Sequence, residues 1–171
     1  MMKLFPIALT LLAATAANAQ NPISADTKLI WQMASGNIVK SAEKMPEESY
    51  GFKPSHDVRS FAQLVGHVSD AAYMFCSAAK GEQHAPVNVE KTKTSKTDLV
   101  AAVKEAMAYC AAVNSEMTDA KGTEMVKFIG MDRTRLGVLN FNNAHTMEHY
   151  GNMVTYMRIR GIVPPSSEPR R

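Results

Sequence analysis

Apolar residues recur at helical spacing through most of the chain, and four segments keep this pattern over several turns. We predict helices over residues 24–45, 60–80, 95–117 and 134–160. Pro46 ends the first helix, and Ser60 with Gln63 forms a capping box at the start of the second. No segment alternates apolar and polar residues as a strand does. The pattern predicts an all-α fold, an antiparallel four-helix bundle.

The segments between these helices differ in composition. Residues 46–54 are turn-rich and contain Tyr50 and Phe52, which we expect to cap the core. Residues 82–94 are polar and are predicted to form a crossover loop. Residues 118–133 are predicted to form a loop that packs in part through its apolar side chains. The expected buried stripe of the first helix is Ile30, Ala34, Ile38 and Met45.

The last predicted helix carries polar residues where a bundle helix normally carries apolar ones. The row with spacing 4, 3, 4, 3, 4 is Val138, Asn142, His145, His149, Asn152 and Tyr156. This spacing places the row on the face that should meet the core. A buried polar group without a partner costs on the order of 1–3 kcal/mol. The row therefore predicts a shared partner, and a metal ion with water is the simplest one.

Three histidines are the candidate metal ligands. His145 and His149 are four residues apart, so a helix turns both rings to the same side. His67 lies on the apolar side of the second predicted helix. Three neutral imidazoles from two facing helices hold one divalent metal ion and leave a coordination position free. The alternative is a set of core histidines with other partners, because a pair at this spacing also arises by chance.

Other polar residues are predicted to play supporting parts. Three residues of the last helix are expected to be hydrogen-bond partners of the ligands or core polar groups: Asn142, Asn152 and Tyr156. Asp70 and Glu148 lie at the flanks of their helices and are predicted to be solvated charges. A role for either as a hydrogen-bond acceptor or general base stays an alternative. His56 and His84 lie in loops and are predicted to be on the surface.

The N-terminus has the features of an export signal. Lys3 gives a positive start, residues 4–17 form an apolar stretch too short to span a membrane, and a small-residue cleavage site follows. We predict residues 1–19 to be a signal peptide that is cut after Ala19, and residues 20–171 to be one domain. The expected location is periplasmic or secreted.

The charge excludes some classes of partner. The 171-residue chain has a formal charge of +3, which becomes +2 without Lys3. This is too small to indicate nucleic-acid binding, and no later apolar run is long enough to cross a bilayer. We expect neither a nucleic-acid partner nor a membrane partner for the mature chain. A homodimer stays open, since helical bundles often pair.

Cys76 and Cys110 are the two cysteines of the chain. In an oxidising compartment two thiols of this kind pair if their Cα atoms approach within about 7 Å. The alternative is two small buried residues on helical faces. The sequence leaves the choice open.

The motifs resemble those of the DinB-like family, the DinB/YfiT-like metalloenzymes. The resemblance is carried by residues 45–54 (MPEESYGFKP), residues 59–67 with their LVGH end, and residues 142–151 (NNAHTMEHYG). It continues through residues 156–165 and covers most of the mature chain. It implies a four-helix bundle with a long crossover connection. It also implies one divalent metal ion, zinc or nickel, held by His67, His145 and His149.

The resemblance implies an activity only in outline. Family members include thiol-dependent S-transferases and metal-dependent hydrolases or isomerases, and an export signal argues against thiol transfer here. We expect an exported metal-binding protein, a metal-dependent hydrolase or transferase acting on a small molecule at an open coordination position. The alternatives are a metal- or ligand-binding module without turnover, and a structural protein whose histidines satisfy one another. The sequence indicates no general base and no particular substrate.

Overall fold

Four long helices form the molecule in the computed structural model, which describes residues 21–83 and 86–169. They are α1 (Pro22–Lys44), α2 (Phe61–Lys80), α4 (Lys96–Ser115) and α6 (Arg135–Ile159). Shorter elements are α3 (Val89–Thr92), α5 (Asp119–Gly122), β1 (Met125–Phe128), β2 (Met131–Thr134) and the 3₁₀ turns Glu47–Ser49 and Pro165–Ser167. The predicted all-α bundle is confirmed. The predicted signal peptide and His84 lie outside the described residues.

Local signals in the sequence set the helix ends. The Ser60 hydroxyl accepts a hydrogen bond from the backbone N–H of Gln63, and the Gln63 side chain accepts one from the N–H of Ser60. This is the predicted capping box, and it satisfies two N–H groups that the helix itself leaves free. Gly81 ends α2 with a φ of 85°, a conformation that glycine adopts without steric cost. The capping box thus fixes the start of α2, the helix that carries His67, and Gly81 fixes its end.

The prediction that the bundle is antiparallel was wrong for the neighbouring helices α2 and α4. Each of α1 and α2 packs against both α4 and α6, so α1 and α2 lie on a diagonal. The first residues of α1 donate to Asp119, just beyond the end of α4, which makes that pair antiparallel. The Cys76–Cys110 disulfide joins the C-terminal halves of α2 and α4, which therefore run in the same direction. The long crossover, residues 81–95, is the connection that two parallel neighbours require.

The helix α6 runs antiparallel to α2. The hydroxyl of Tyr156, near the end of α6, donates to the carbonyl oxygen of Arg59 just before α2. At the other end, the Arg135 guanidinium donates to the carbonyl oxygen of Ala79. Between these two contacts, the faces of α2 and α6 that carry the histidines are turned toward each other.

A short hairpin replaces part of the predicted loop 118–133. Strand β1 pairs with β2 in antiparallel register, from Met125 opposite Thr134 to Phe128 opposite Met131. Ile129 and Gly130 form the turn with φ angles of 49° and 74°, as tight hairpin turns require. Phe128 is buried against Phe75. Val126 is partly buried against the core, whereas the apolar Met125 and Met131 are exposed, so the sequence of the strands does not show which side chains pack on the bundle.

The core follows the predicted stripes with one exception. Ile30 is 40% exposed, so its predicted burial was wrong, whereas Trp31 beside it is buried. Tyr50 is buried and makes an edge contact with Phe61, and Phe52 makes one with Tyr156. The two aromatics of the 46–54 connector therefore close this end of the bundle, as predicted. Within the described residues, no helix combines the length and apolar character that a membrane span needs.

The structure contains the disulfide that the sequence left open. Cys76 and Cys110 are bonded, with their Cα atoms 5.4 Å apart. The amide nitrogen of Asn142 lies 3.4 Å from Sγ of Cys76 and 3.5 Å from Sγ of Cys110. Asn142 is thus a neighbour of the disulfide in the core.

Candidate metal centre

Three histidine side chains meet between α2 and α6. Nε2 of His145 lies 3.2 Å from Nε2 of His67 and 3.1 Å from Nε2 of His149. The ligand atoms of all three lie within 4.8 Å of one another. His149 is buried and the other two are half-buried. The three residues that the sequence singled out therefore come together in space.

Hydrogen bonding among the rings does not satisfy this cluster. Each ring nitrogen of a neutral imidazole has either one proton or one lone pair. Nε2 of His145 can therefore make one hydrogen bond, yet it faces two other Nε2 atoms. A divalent cation removes the conflict, because it uses one lone pair from each ring. Ligand nitrogens about 2.0–2.1 Å from a tetrahedral ion lie about 3.3 Å apart, close to the spacing seen here.

The electrostatics of the cluster favour neutral rings. Burial, followed by the neighbouring His149, His67 and Arg59, lowers the pKa of His145 to about 4. Burial and Arg59 also lower the pKa of His67, against an opposing effect of Glu90, and burial and His67 lower that of His149. A neutral imidazole is the form that binds a metal ion.

Glu90 is a residue of the site that the sequence did not reveal. Its Oε2 lies 3.3 Å from Nδ1 of His67, and its Oε1 accepts a hydrogen bond of 2.9 Å from Nε of Arg59. A carboxylate at Nδ1 keeps the ring proton there and leaves the Nε2 lone pair facing the cluster. Glu90 belongs to the polar crossover, where nothing in the sequence distinguishes it from its charged neighbours.

Two residues of α2 fix Glu90 in place. The Asp70 carboxylate accepts from the backbone N–H groups of Val89 at 2.7 Å and Glu90 at 3.0 Å. A Cβ atom on Gly66 would lie 2.5 Å from Cα of Glu90, so only glycine allows this close approach. The prediction that Asp70 is a solvated charge was therefore wrong, since it anchors the first residues of α3.

The polar row of α6 has several partners rather than one. The Tyr156 hydroxyl donates to the carbonyl oxygen of Arg59, and Asn142 contacts the disulfide. Nδ2 of Asn152 lies 3.4 Å from Nδ1 of His149. A 180° flip of the Asn152 amide group places its oxygen there instead, where it accepts a hydrogen bond from Nδ1–H. The prediction of one shared partner is thus wrong for Asn142 and Tyr156. It still applies to the two histidines.

The remaining candidates are not members of the three-histidine cluster. His56 is almost fully exposed, as predicted, and its Nδ1 lies 3.0 Å from the carboxylate of its neighbour Asp57. Glu148 is exposed, also as predicted. Nδ1 of His145 is buried without a hydrogen-bond partner in the described parts of the chain.

Two cavities reach the histidines. One of ≈ 730 Å³ is lined by His149 and by polar or charged residues that include Arg59, Glu90, Glu148 and Asn152. The other, of ≈ 460 Å³, is lined by His67 and His145 together with mainly apolar side chains. Small molecules can therefore reach the histidine cluster from a polar cavity on one side and from a mainly apolar cavity on the other.

Fold and site together define a helical bundle with a three-histidine cluster between two antiparallel helices. The family model of the DinB superfamily matches residues 31–153. The chain belongs to the DinB superfamily.

A curated relative agrees with this assignment. The uncharacterized protein YjoA of Bacillus subtilis (strain 168) is 24% identical over 123 residues, which are 70% of this chain and 79% of the relative. The solved structure of B. subtilis YjoA has a TM-score of 0.69 at 21% identity and covers 85% of this chain and 99% of its own. This structural likeness shows the fold.

Two further proteins of known structure share the bundle. A DinB-like protein from Bacillus cereus ATCC 10987 has a TM-score of 0.69 at 18% identity, over 79% of this chain and 91% of its own. A mycothiol-dependent maleylpyruvate isomerase has a TM-score of 0.64 at 12% identity, over 76% of this chain and 60% of its own. At these identities the likeness concerns the fold alone.

Proposed function

We propose that His67, His145 and His149 bind one divalent metal ion and that the protein is a metalloenzyme acting on a small molecule. The observation that carries this proposal is the approach of two Nε2 atoms, those of His67 and His149, to Nε2 of His145 at 3.2 and 3.1 Å, which hydrogen bonds cannot satisfy. Zinc and nickel are the ions we propose, since imidazole nitrogens suit both.

The chain's own residues prepare the site. Glu90 keeps the proton of His67 on Nδ1, so the lone pair of Nε2 faces the cluster. Burial keeps all three rings neutral at pH 7. With three protein ligands, a divalent ion keeps a free position and supplies Lewis acidity toward a carbonyl group or water. The cavities at His149 and at His67 give a small molecule room to reach that position.

The reaction class we propose is hydrolysis or group transfer. Three histidine ligands with an open position are typical of catalytic rather than structural sites. The name of one structural neighbour, a mycothiol-dependent maleylpyruvate isomerase, supports the proposal of an enzyme. The alternative is a module that binds a metal ion or ligand without turnover. It predicts the same metal affinity but no activity in ester, amide and thiol-transfer assays.

Metal analysis of untagged protein tests the proposal. We expect one equivalent of zinc or nickel by mass spectrometry after reconstitution and dialysis, and loss of binding in His67→Ala, His145→Ala and His149→Ala. His56→Ala is the matched control, since its exposed ring lies outside the cluster. Binding below about a tenth of an equivalent in excess metal would overturn the proposal.

We also propose that the protein is exported. The leader-like sequence of residues 1–19 and the Cys76–Cys110 disulfide support this, because disulfides persist in oxidising compartments. We expect the mature chain to begin at Gln20 and to be found in the periplasm or the medium. N-terminal sequencing of the fractionated protein tests this, and an intact Met1 in the cytoplasmic fraction would contradict it.

A further inference from the structure

The cavity beside His67 and His145 has apolar walls. Its ≈ 460 Å³ lie within the range of about 300–1,000 Å³ that is usual for small-molecule sites. The apolar side chains come from α2, the crossover, the hairpin turn and α6. They are Tyr73, Met74, Phe75, Val87, Ile129 and Phe141. Four separate parts of the chain thus meet in one apolar surface next to two of the proposed metal ligands.

Several of these side chains are exposed although they are large and apolar. Met74 is 46% exposed, Phe141 49% and Ile129 63%. Single exposed apolar residues are common, but a contiguous group around a concavity is typical of a binding site. Burial in the core therefore does not account for the apolar character of the side chains around this cavity.

Two residues with positive φ angles lie in the wall of this cavity. Among the described residues, Asn88 and Ile129 are the non-glycine residues with positive φ, at 57° and 49°. Both line this cavity. Positive φ is rare for a β-branched residue such as isoleucine, and such strain persists where the surrounding structure enforces it. Asparagine tolerates this conformation and the hairpin turn requires it of Ile129, so the backbone fixes where both residues stand in the cavity wall.

The other cavity at the histidines has a different character. Lys53, Arg59, Glu90, Glu148 and Asn152 contribute charged or amide groups to it, beside His149. A small molecule at the histidines therefore meets polar groups on one side and hydrocarbon on the other. The two cavities distinguish the two ends of such a molecule.

We propose that the apolar cavity binds the hydrocarbon chain or ring of the substrate, while the substrate's polar group lies at the three histidines. The inference rests on the proposed metal function and adds the substrate class to it. The substrate is a small amphiphilic molecule whose reacting polar group is joined directly to a hydrocarbon group. The polar remainder extends toward Arg59 and Asn152.

A series of alkyl hydroxamates tests the inference without an activity assay. Acetohydroxamate to octanohydroxamate are titrated into cobalt-loaded protein, and the cobalt visible spectrum reports binding at the metal. We expect Kd to fall about two- to fourfold for each added methylene, up to the length of the cavity. We expect Met74→Glu to remove this dependence on chain length, because it places a carboxylate in the apolar wall.

Met33→Glu is the matched control. Met33 is 56% exposed on α1, which does not line the cavity, so this variant should retain the wild-type chain-length series. Val87→Asp is a second variant, on the crossover instead of a helix, and should act like Met74→Glu. Circular dichroism checks that each variant is folded.

The outcomes separate the two proposals. If the wild type binds no cobalt, the metal function fails and the inference fails with it. If cobalt binds but Kd is independent of chain length, or if both cavity variants behave like Met33→Glu, the inference alone is overturned.

Discussion

His67 uses its two ring nitrogens for different purposes. Nε2 faces His145, whereas Nδ1 faces the carboxylate of Glu90. The same carboxylate accepts a hydrogen bond from Arg59, so it is held from two sides. A carboxylate at this place makes the ring a better metal ligand and fixes its orientation. Glu90 is therefore the residue through which the crossover acts on the metal centre.

Glu90→Gln should weaken metal binding with little change in fold. The amide keeps the size of the side chain but loses the charge that supports the Nδ1–H of His67. We expect the metal Kd to rise about 10–100-fold in a competition titration with a chelator. Glu148→Gln is the control, because this exposed carboxylate lines the same polar cavity. Equal affinities of the two variants would show that Glu90 does not support the site.

The metal-free protein should lose stability as the pH falls from about 7 toward 4. The pKa of His145 is about 4 in the folded state against an ordinary value of 6.5, mainly because of burial. The unfolded chain therefore takes up more protons in this window, and protonation favours unfolding. We expect the free energy of unfolding in urea, measured with a chelator present, to fall less steeply in His145→Ala than in wild type. The same dependence of the unfolding free energy on pH in both proteins would show that His145 is not its cause.

At the residue scale, the sequence predicted the three rings but not their support. The i, i+4 spacing placed His145 and His149 together, and the apolar neighbours of His67 turned it inward. Glu90 could not be predicted, because its contact depends on how closely two separate elements approach. The same holds for Asp70, which binds backbone N–H groups 19 and 20 residues away.

At the scale of elements, the contact between α2 and α3 determines where the crossover lies. Gly66 allows the backbone of Glu90 to approach, and Asp70 binds the first N–H groups of α3. Helix α3 is only four residues long, and Val89 is its one buried residue. Its position therefore depends on these two residues of α2 more than on its own packing.

Gly66→Ala should disturb both stability and metal binding. The added Cβ would lie 2.5 Å from a backbone atom of Glu90, so α3 has to move. We expect a loss of about 1–3 kcal/mol in the free energy of unfolding and a weaker metal Kd. Gly36→Ala is the control, because nothing lies within 4 Å of its Cβ and α1 should gain stability. An unchanged metal Kd in Gly66→Ala would show that the position of α3 does not affect the metal centre.

The sequence predicted the long helices well because their signals are local. The capping box at Ser60, the left-handed Gly81 and Pro46 all act within one turn of the chain. The hairpin and the parallel pair α2 and α4 were missed for the opposite reason. The strands pair through backbone groups with one buried side chain, and the direction of α4 relative to α2 depends on the crossover.

At the scale of the whole molecule, the disulfide should contribute a large share of the stability. It closes a loop with a sequence separation of 34 between two helices that are joined by the long crossover. On the chain-entropy model this is worth about 4 kcal/mol. We expect Cys76→Ala with Cys110→Ala, or reduction of the wild type, to lower the free energy of unfolding by this order. A reductant should leave the double variant unaffected, and an effect there would point to another cause.

The same covalent link has a consequence for a chain that has been cut. Lys93 lies exposed in the crossover, between the two half-cystines. A single tryptic cut there separates His67 from His145 and His149 along the backbone, yet both fragments stay bonded through sulfur. We expect the nicked protein to migrate as one band without reductant and as two bands with it. The nicked form should still carry metal, and adding thiol should release the ion together with the fragments.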